Sequence, residues 1–213
     1  MTRPDGVVLV GAGGHAKVVQ AAIEATGRQV NAVFDDDPRR WGQTQFGVRI
    51  EGPVARLANG HRRPAVIAIG ANEVRRAIAE RLPMRWVTVV HPHALVHPSV
   101  RLGPGTLVCA GAIIQPDCQI GRHCIVSTAV SVDHDCRVDD FAHLAPGVRL
   151  AGNVHVGAGA LLGVGAVVVP GIAIGESTTV GAGGVVIRDL PPRVVAVGSP
   201  ATVGRAGQRR KVA

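Results

Sequence analysis

From Val96 onward the sequence keeps an unbroken period of six for ninety residues. Val96, Leu102, Val108, Ile114, Ile120, Val126, Val132, Val138, Leu144, Leu150, Val156, Leu162, Val168, Ile174, Val180 and Val186 are all aliphatic. Four residues after each of the first fifteen stands a small or β-branched residue, running from Val100, Thr106, Ala112, Cys118 and Cys124 to Gly184. Neither the 3.6-residue helix nor simple strand alternation gives such a period. A coil of short strands joined by tight turns does, with the aliphatic inward and the small residue filling a tapered corner. The position after the aliphatic is Gly at 103, 121, 157, 163, 175 and 181 and Asp at 133 and 139, which reads as provision for unusual backbone angles. The expected structure is a parallel β-helix. With strands stacked roughly 4.8 Å apart and three hexapeptides to a coil, about five coils make a prism roughly 24 Å long.

Composition agrees with such a core. Only five of 213 residues are Phe or Trp while 46% are hydrophobic, so aliphatic side chains must fill the interior. The length suits one large or two small domains, and a charged fraction of 18% excludes a disordered chain. No run of 18 apolar residues or secretory leader is present, so a soluble cytoplasmic protein without a membrane span is expected. The four cysteines form no Cys-x-x-Cys pair and are expected as reduced thiols, with no metal site. The net charge of +8 divides unevenly: residues 1–90 carry 13 basic against 8 acidic groups, 91–198 carry 6 against 7, and 199–213 carry 4 against 0. A nucleic-acid protein would concentrate basic groups and aromatics on its main body, so small phosphorylated ligands fit better.

The first ninety residues follow a different rule. Val7–Val10 is an apolar strand followed at once by Gly11-Ala12-Gly13-Gly14-His15-Ala16-Lys17 and a helix to about Ala25. Val30–Phe34 is a second strand, closed by Asp35-Asp36-Asp37; Ala65–Ile69 and Trp86–Val90 read as further strands around a helix from Asn72 to Leu82. This is a βαβ pattern with a parallel sheet. A glycine turn at a helix N-terminus presents N–H groups to phosphate, and an acid ending the second strand can hold ribose or base. Gly11, Gly13 and Ala16 satisfy the dinucleotide fingerprint only loosely, and ninety residues supply one nucleotide-binding half, which disfavours a full NAD site.

Taken together, VLVGAGGHAKVV, HPHALVHPSVRLGPG leading into hexapeptides, SVDHD, and VVAVGSPATVGR resemble the left-handed β-helix sugar acyltransferases of the sialic acid O-acetyltransferase type. Within that group they are similar to N-acetyltransferases of nucleotide-linked 4-amino sugars in bacillosamine and perosamine pathways. The resemblance covers roughly residues 6–205 and implies the handedness. It also implies a Rossmann-like domain over 1–90 for the nucleotide, a β-helix acyltransferase domain over 91–198 and a basic tail over 199–213. Acetyl-CoA is then the co-substrate, a nucleotide-linked 4-amino-dideoxy sugar the acceptor, and a homotrimer with sites between subunits the assembly.

His134 stands between Asp133 and Asp135 at an expected corner, where a carboxylate can fix an imidazole as a general base. The resemblance assigns catalysis to His134 and Asp135. It places Gly11, Gly13, Gly14, His15, Lys17, Asp35 and Asp36 on the nucleotide, with Ser127 facing the sugar where relatives often carry Asn. His143, Gly152, Val164, Ala182, Pro200 and Ala201 fall along acetyl-CoA, with the Gly152 N–H facing the developing oxyanion and Arg205, Arg209, Arg210 and Lys211 available to its phosphates. His91, His93 and His97 read as turn residues and His123 as solvated. Cys118, Cys124 and Cys136 fill inward corners; Cys118 and Cys136 stack at a separation that admits a disulfide, which a reducing cytoplasm disfavours. Three other readings stand beside this one. Sialic acid or another sugar hydroxyl is the alternative acceptor. A γ-type carbonic anhydrase uses a similar β-helix, but its His-x4-His element is absent. A non-enzymatic β-helix that senses a nucleotide sugar would release no coenzyme A.

Overall fold

The computed structural model describes residues 6–58 and 63–204, in two compact units divided between Pro92 and His93. The first unit is α/β. Its elements are β1 (Val7–Val10), α1 (Gly14–Ala25), β2 (Val30–Phe34), β3 (Thr44–Gln45), β4 (Val48–Arg49), β5 (Pro64–Ile67), α2 (Asn72–Arg81), β6 (Arg85–Trp86) and β7 (Val89–Val90). A parallel sheet runs in the order β2-β1-β5-β6. β1 is buried at all four positions, as a central parallel strand covered on both faces should be. Ala16, Val19, Ala22 and Ile23 form the buried stripe of α1. The strand expected over Trp86–Val90 is two short pieces, of which only β6 joins this sheet. The sequence reading also missed the β3–β4 hairpin, whose two turn residues, Phe46 and Gly47, both have positive φ.

The second unit is a parallel β-solenoid with three faces. One is a six-stranded sheet from Leu95–Val96 to Val185–Val186, and the next a five-stranded sheet from Arg101–Leu102 to Ala173–Ile174. The third carries Leu107–Val108, Ile125–Val126, His143–Leu144, Leu161–Leu162, Thr179–Val180 and Val195–Val197. Within the repeat every strand pairs with the one eighteen residues on, as in Ile113 with Ser131 and Ser131 with Arg149. From Val108 to Val186 the periodic aliphatics are at most 3% exposed. Beyond Val186 the last coil is two residues shorter, pairing Ile174 with Leu190 and Thr179 with Val195. An antiparallel strand, Thr202–Val203, then folds back on Val195–Val197.

The turns correct one expectation. The glycines directly after the aliphatics do not take positive φ; a Cβ at Gly103, Gly121, Gly157 or Gly163 would lie 2.5–2.6 Å from atoms of the next coil, so they serve close approach. Left-handed backbone falls two residues later, at Gly105, Gly111, Asp117, His123, Ala129, Asp135, Phe141, Gly147 and Asn153. The corner cysteines also do more than fill space. Thr106 Oγ1 donates to Gly121 O (2.7 Å), Cys118 Sγ to Asp133 O (2.9 Å), Cys124 Sγ to Asp139 O (3.1 Å) and Cys136 Sγ to Ala151 O (3.1 Å). Each tethers its corner to the residue fifteen ahead. All four cysteines are free and buried. His123, expected as solvated, is buried and stacks on Phe141 with ring centroids 5.2 Å apart and planes 1° apart. A Cβ at Gly105 would stand 2.5 Å from the His123 ring, so the preceding coil makes room for it.

Candidate active site

The corner between strands Ser131–Val132 and Arg137–Val138 is held from both sides. Asp135 N–H donates to Pro116 O in the previous coil (3.1 Å), and Asn153 N–H in the next coil donates to His134 O (3.0 Å). Asp133 Oδ1 accepts the His134 backbone N–H at 2.9 Å. Asp135, in the left-handed region at φ 59°, places Oδ2 2.7 Å from His134 Nδ1. That contact fits an Nδ1–H donated to carboxylate, which leaves the Nε2 lone pair as the outward base. The bond to Asp135 raises the His134 pKa above the ordinary 6.5, with Asp133 adding to the effect against some desolvation.

Gly152, eighteen residues on, lies against this ring. A Cβ there would meet His134 Cε1 and Nε2 at 2.6 Å each, so the coil above the imidazole must carry glycine. Among the described residues the Gly152 N–H donates to no protein acceptor, whereas its carbonyl accepts from Gly171 N–H at 3.0 Å. Base and unpaired backbone donor therefore share one edge of the solenoid.

The remaining expected positions lie elsewhere on the coil. Ser127 Oγ is 3.3 Å from His143 Nε2, so these two meet on and beside the face that carries His143–Leu144. That face lies opposite the His134 corner in the same chain, so a single chain does not bring the two histidines together. Val164 and Ala182 are exposed, stacked at the corner between the first and third faces, where Gly183 N–H bonds Val164 O at 2.8 Å. Pro200 and Ala201 lie in the turn that folds back on the last coil, with Ala201 N–H on Val185 O at 2.7 Å. Arg205, Arg209, Arg210 and Lys211 fall outside the described residues.

In the first unit, Gly11 has φ 109°, and a Cβ there would meet Ile69 Cγ1 at 2.8 Å. A Cβ at Gly13 or Gly14 would meet nothing within 4 Å, so the turn surface at the start of α1 is open. Lys17 is exposed beyond it. Burial, aided by the Arg75 charge, lowers the His15 pKa and keeps that imidazole neutral. The two acids expected on the nucleotide already hold backbone. Asp35 accepts Ala12 N–H at 2.6 Å and Asp37 N–H at 2.8 Å, and Asp36 Oδ1 accepts Val54 N–H at 2.8 Å. Two residues that no sequence motif marked join this region: Arg40 Nη1 donates to Ala12 O in the turn, and Trp41 Nε1 donates to Asp35 O at the end of β2, both at 2.8 Å. Among the described residues no group of three or more His, Cys, Asp or Glu is arranged to hold a metal, and no helix is long and apolar enough to cross a membrane.

The PglD N-terminal domain matches residues 6–82. UDP-N-acetylbacillosamine N-acetyltransferase of Bacillus subtilis is 42% identical over 114 residues, which cover 49% of this chain and 51% of that protein. An uncharacterised protein of Acanthamoeba polyphaga mimivirus is 31% identical over 103 residues, 21% of its length. The chain thus spans about half the length of the first of these curated relatives and about a fifth of the second. The solved structures align nearly end to end. Perosamine N-acetyltransferase from Caulobacter crescentus, in complex with CoA and GDP-perosamine, is 45% identical with a TM-score of 0.86, covering 93% of this chain and 96% of that one. The acetyltransferase domain of PglB from Neisseria gonorrhoeae, in complex with acetyl coenzyme A, is 33% identical with a TM-score of 0.89, covering 95% and 100%.

Proposed function

The chain belongs to the PglD-type family of β-helix sugar N-acetyltransferases, and from that premise we propose that it transfers acetyl from acetyl-CoA to the amine of a nucleotide-linked 4-amino-dideoxy sugar. The observation that carries the reading is the His134–Asp135 pair seated over Gly152. The neutral acceptor amine attacks the thioester carbonyl and becomes positively charged as the C–N bond forms. His134 Nε2 takes a proton from that nitrogen, and Asp135 stabilises the resulting imidazolium. The carbonyl oxygen gains negative charge and meets the unpaired Gly152 N–H. The C–S bond then breaks, and coenzyme A leaves as the thiol with the returned proton. The four cysteines are buried, which favours direct transfer over an acyl-enzyme.

The acceptor's nucleotide lies at the open turn of Gly11, Gly13, Gly14, His15 and Lys17 in this reading. Ser127 faces the sugar, and the acetyl-CoA arm follows His143, Val164, Ala182, Pro200 and Ala201. Because His134 and His143 stand on opposite sides of one coil, the site is built between copies, in a homotrimer. The exposed side chains of Leu95, Ile113 and Val167 on the intervening face support such packing. The test is a coenzyme A release screen over GDP-, UDP- and dTDP-linked 4-amino sugars, with sialic acid as the hydroxyl-bearing competitor. Release with an amino sugar and mass gain on its nitrogen are expected; release only with sialic acid would assign O-acetylation.

A further inference from the structure

Resting on that reading, we infer that Trp41 is the stacking platform for the nucleobase of the sugar nucleotide. In a parallel α/β sheet with a glycine turn after the first strand, phosphate takes the turn, ribose the end of the second strand, and the base the segment that follows. Here that segment is 35–41, and one connected set of bonds ties it to the glycine turn. Asp35 spends both carboxylate oxygens on Ala12 N–H (2.6 Å) and Asp37 N–H (2.8 Å). It closes the turn onto the segment, with one acceptor site on each of its oxygens engaged by backbone. Arg40 Nη1 donates to Ala12 O at 2.8 Å, laying a guanidinium beside the turn. Trp41 Nε1 donates to Asp35 O at 2.8 Å, which fixes the indole at the end of β2.

The indole's polar edge is thus satisfied, yet the residue is 41% exposed. A chain with only two tryptophans has placed one of them, anchored and partly exposed, on the segment that Asp35 and Arg40 tie to an open glycine turn. A nucleobase is the part of the acceptor that such a surface recognises, since every base offers a π face and aromatic stacking is worth about 5- to 100-fold in affinity per base.

The test uses the full chain, with GDP, UDP and dTDP as probes and glucose 1-phosphate as the base-free control. In Trp86→Phe, which leaves Trp41 as the sole tryptophan, the tightest nucleotide should quench the emission and glucose 1-phosphate should not. By calorimetry, Trp41→Ala should weaken that nucleotide about 5- to 100-fold, while Trp41→Phe keeps it within about threefold. Unmoved Trp41 emission at saturation, an unchanged Kd in Trp41→Ala, or no nucleotide binding to the wild-type chain would overturn the inference. Acetyl transfer is read separately by coenzyme A release. Transfer without any Trp41 effect sinks the platform alone, whereas quenching without transfer to any amino sugar sinks the enzymatic reading and keeps the platform.

Discussion

The imidazole of His134 fills the space that a side chain on Gly152 would need: a Cβ at 152 would stand 2.6 Å from both Cε1 and Nε2. Glycine at that point is therefore a condition for the imidazole to keep its place. Gly152→Ala should push the ring aside while the coil, whose inward residues are untouched, stays folded. A displacement near 1 Å costs on the order of 10²-fold in kcat. Combining Gly152→Ala with His134→Asn should add little to the loss from His134→Asn alone, because both remove the same positioned base. Additive losses in that double mutant would show that Gly152 acts independently of the ring.

His134→Asn should lower kcat by about 10²–10⁴-fold with little change in either KM, and Asp135→Asn should lower it less. The pH profile carries the sign. Asp135 holds the His134 pKa above 6.5, and only the neutral ring can accept a proton. Turnover should therefore rise with pH through a midpoint above 6.5 and level off beyond it. Asp135→Asn removes the charge while its amide oxygen can still accept Nδ1–H, so the midpoint should move to lower pH. The acceptor amine is common to both enzymes, so a midpoint that stays put would detach His134 from the proton transfer.

The His123–Phe141 stack predicts a change in stability without a change in chemistry. Phe141 is 2% exposed, its ring stacks on His123, and the Arg122 guanidinium lies 5.3 Å from its centroid. Phe141→Ala leaves a cavity at that corner and should cost about 3 kcal/mol in urea unfolding at fixed protein concentration. The pH midpoint of turnover should not move, because this corner is not the one that carries His134.

The solenoid was legible because its core is a linear repeat: each inward aliphatic meets its equivalents one coil below and above, so sequence period and packing period coincide. The His134–Asp135 pair was legible because neighbours in sequence are neighbours in space at a tight corner. What stayed hidden depends on contacts eighteen residues away or between unlike elements. His123 reads as an ordinary polar residue until Gly105 and Phe141 stand on either side of it. The acids after β2 look free until Ala12, Asp37 and Val54 claim their oxygens. Trp41 belongs to no motif and gains meaning only through its bond to Asp35. The left-handed positions escaped because glycine holds only some of them, such as 105, 111 and 147, while Asp117, His123, Ala129, Asp135, Phe141 and Asn153 hold others and break the pattern.

The separation of His134 from His143 around one coil gives the sharpest test of assembly. If one copy supplies the base edge of each site and its neighbour supplies the Ser127–His143 face, neither His134→Asn nor His143→Asn alone retains an intact site. Mixed trimers differ. A copy with His134 intact can abut a copy with His143 intact, and that interface carries both native groups. With random reassembly of equal amounts, about a quarter of the interfaces have this pairing, so about a quarter of wild-type turnover should return after co-refolding or co-expression. Light scattering should report a trimer for both variants and for the mixture. Recovery requires that the two histidines come from different chains, because a site built within one chain would be broken in every copy. A mixture no more active than its better component, with trimers and subunit exchange verified by mass, would place both groups in the same copy and remove the geometric reason for a shared site.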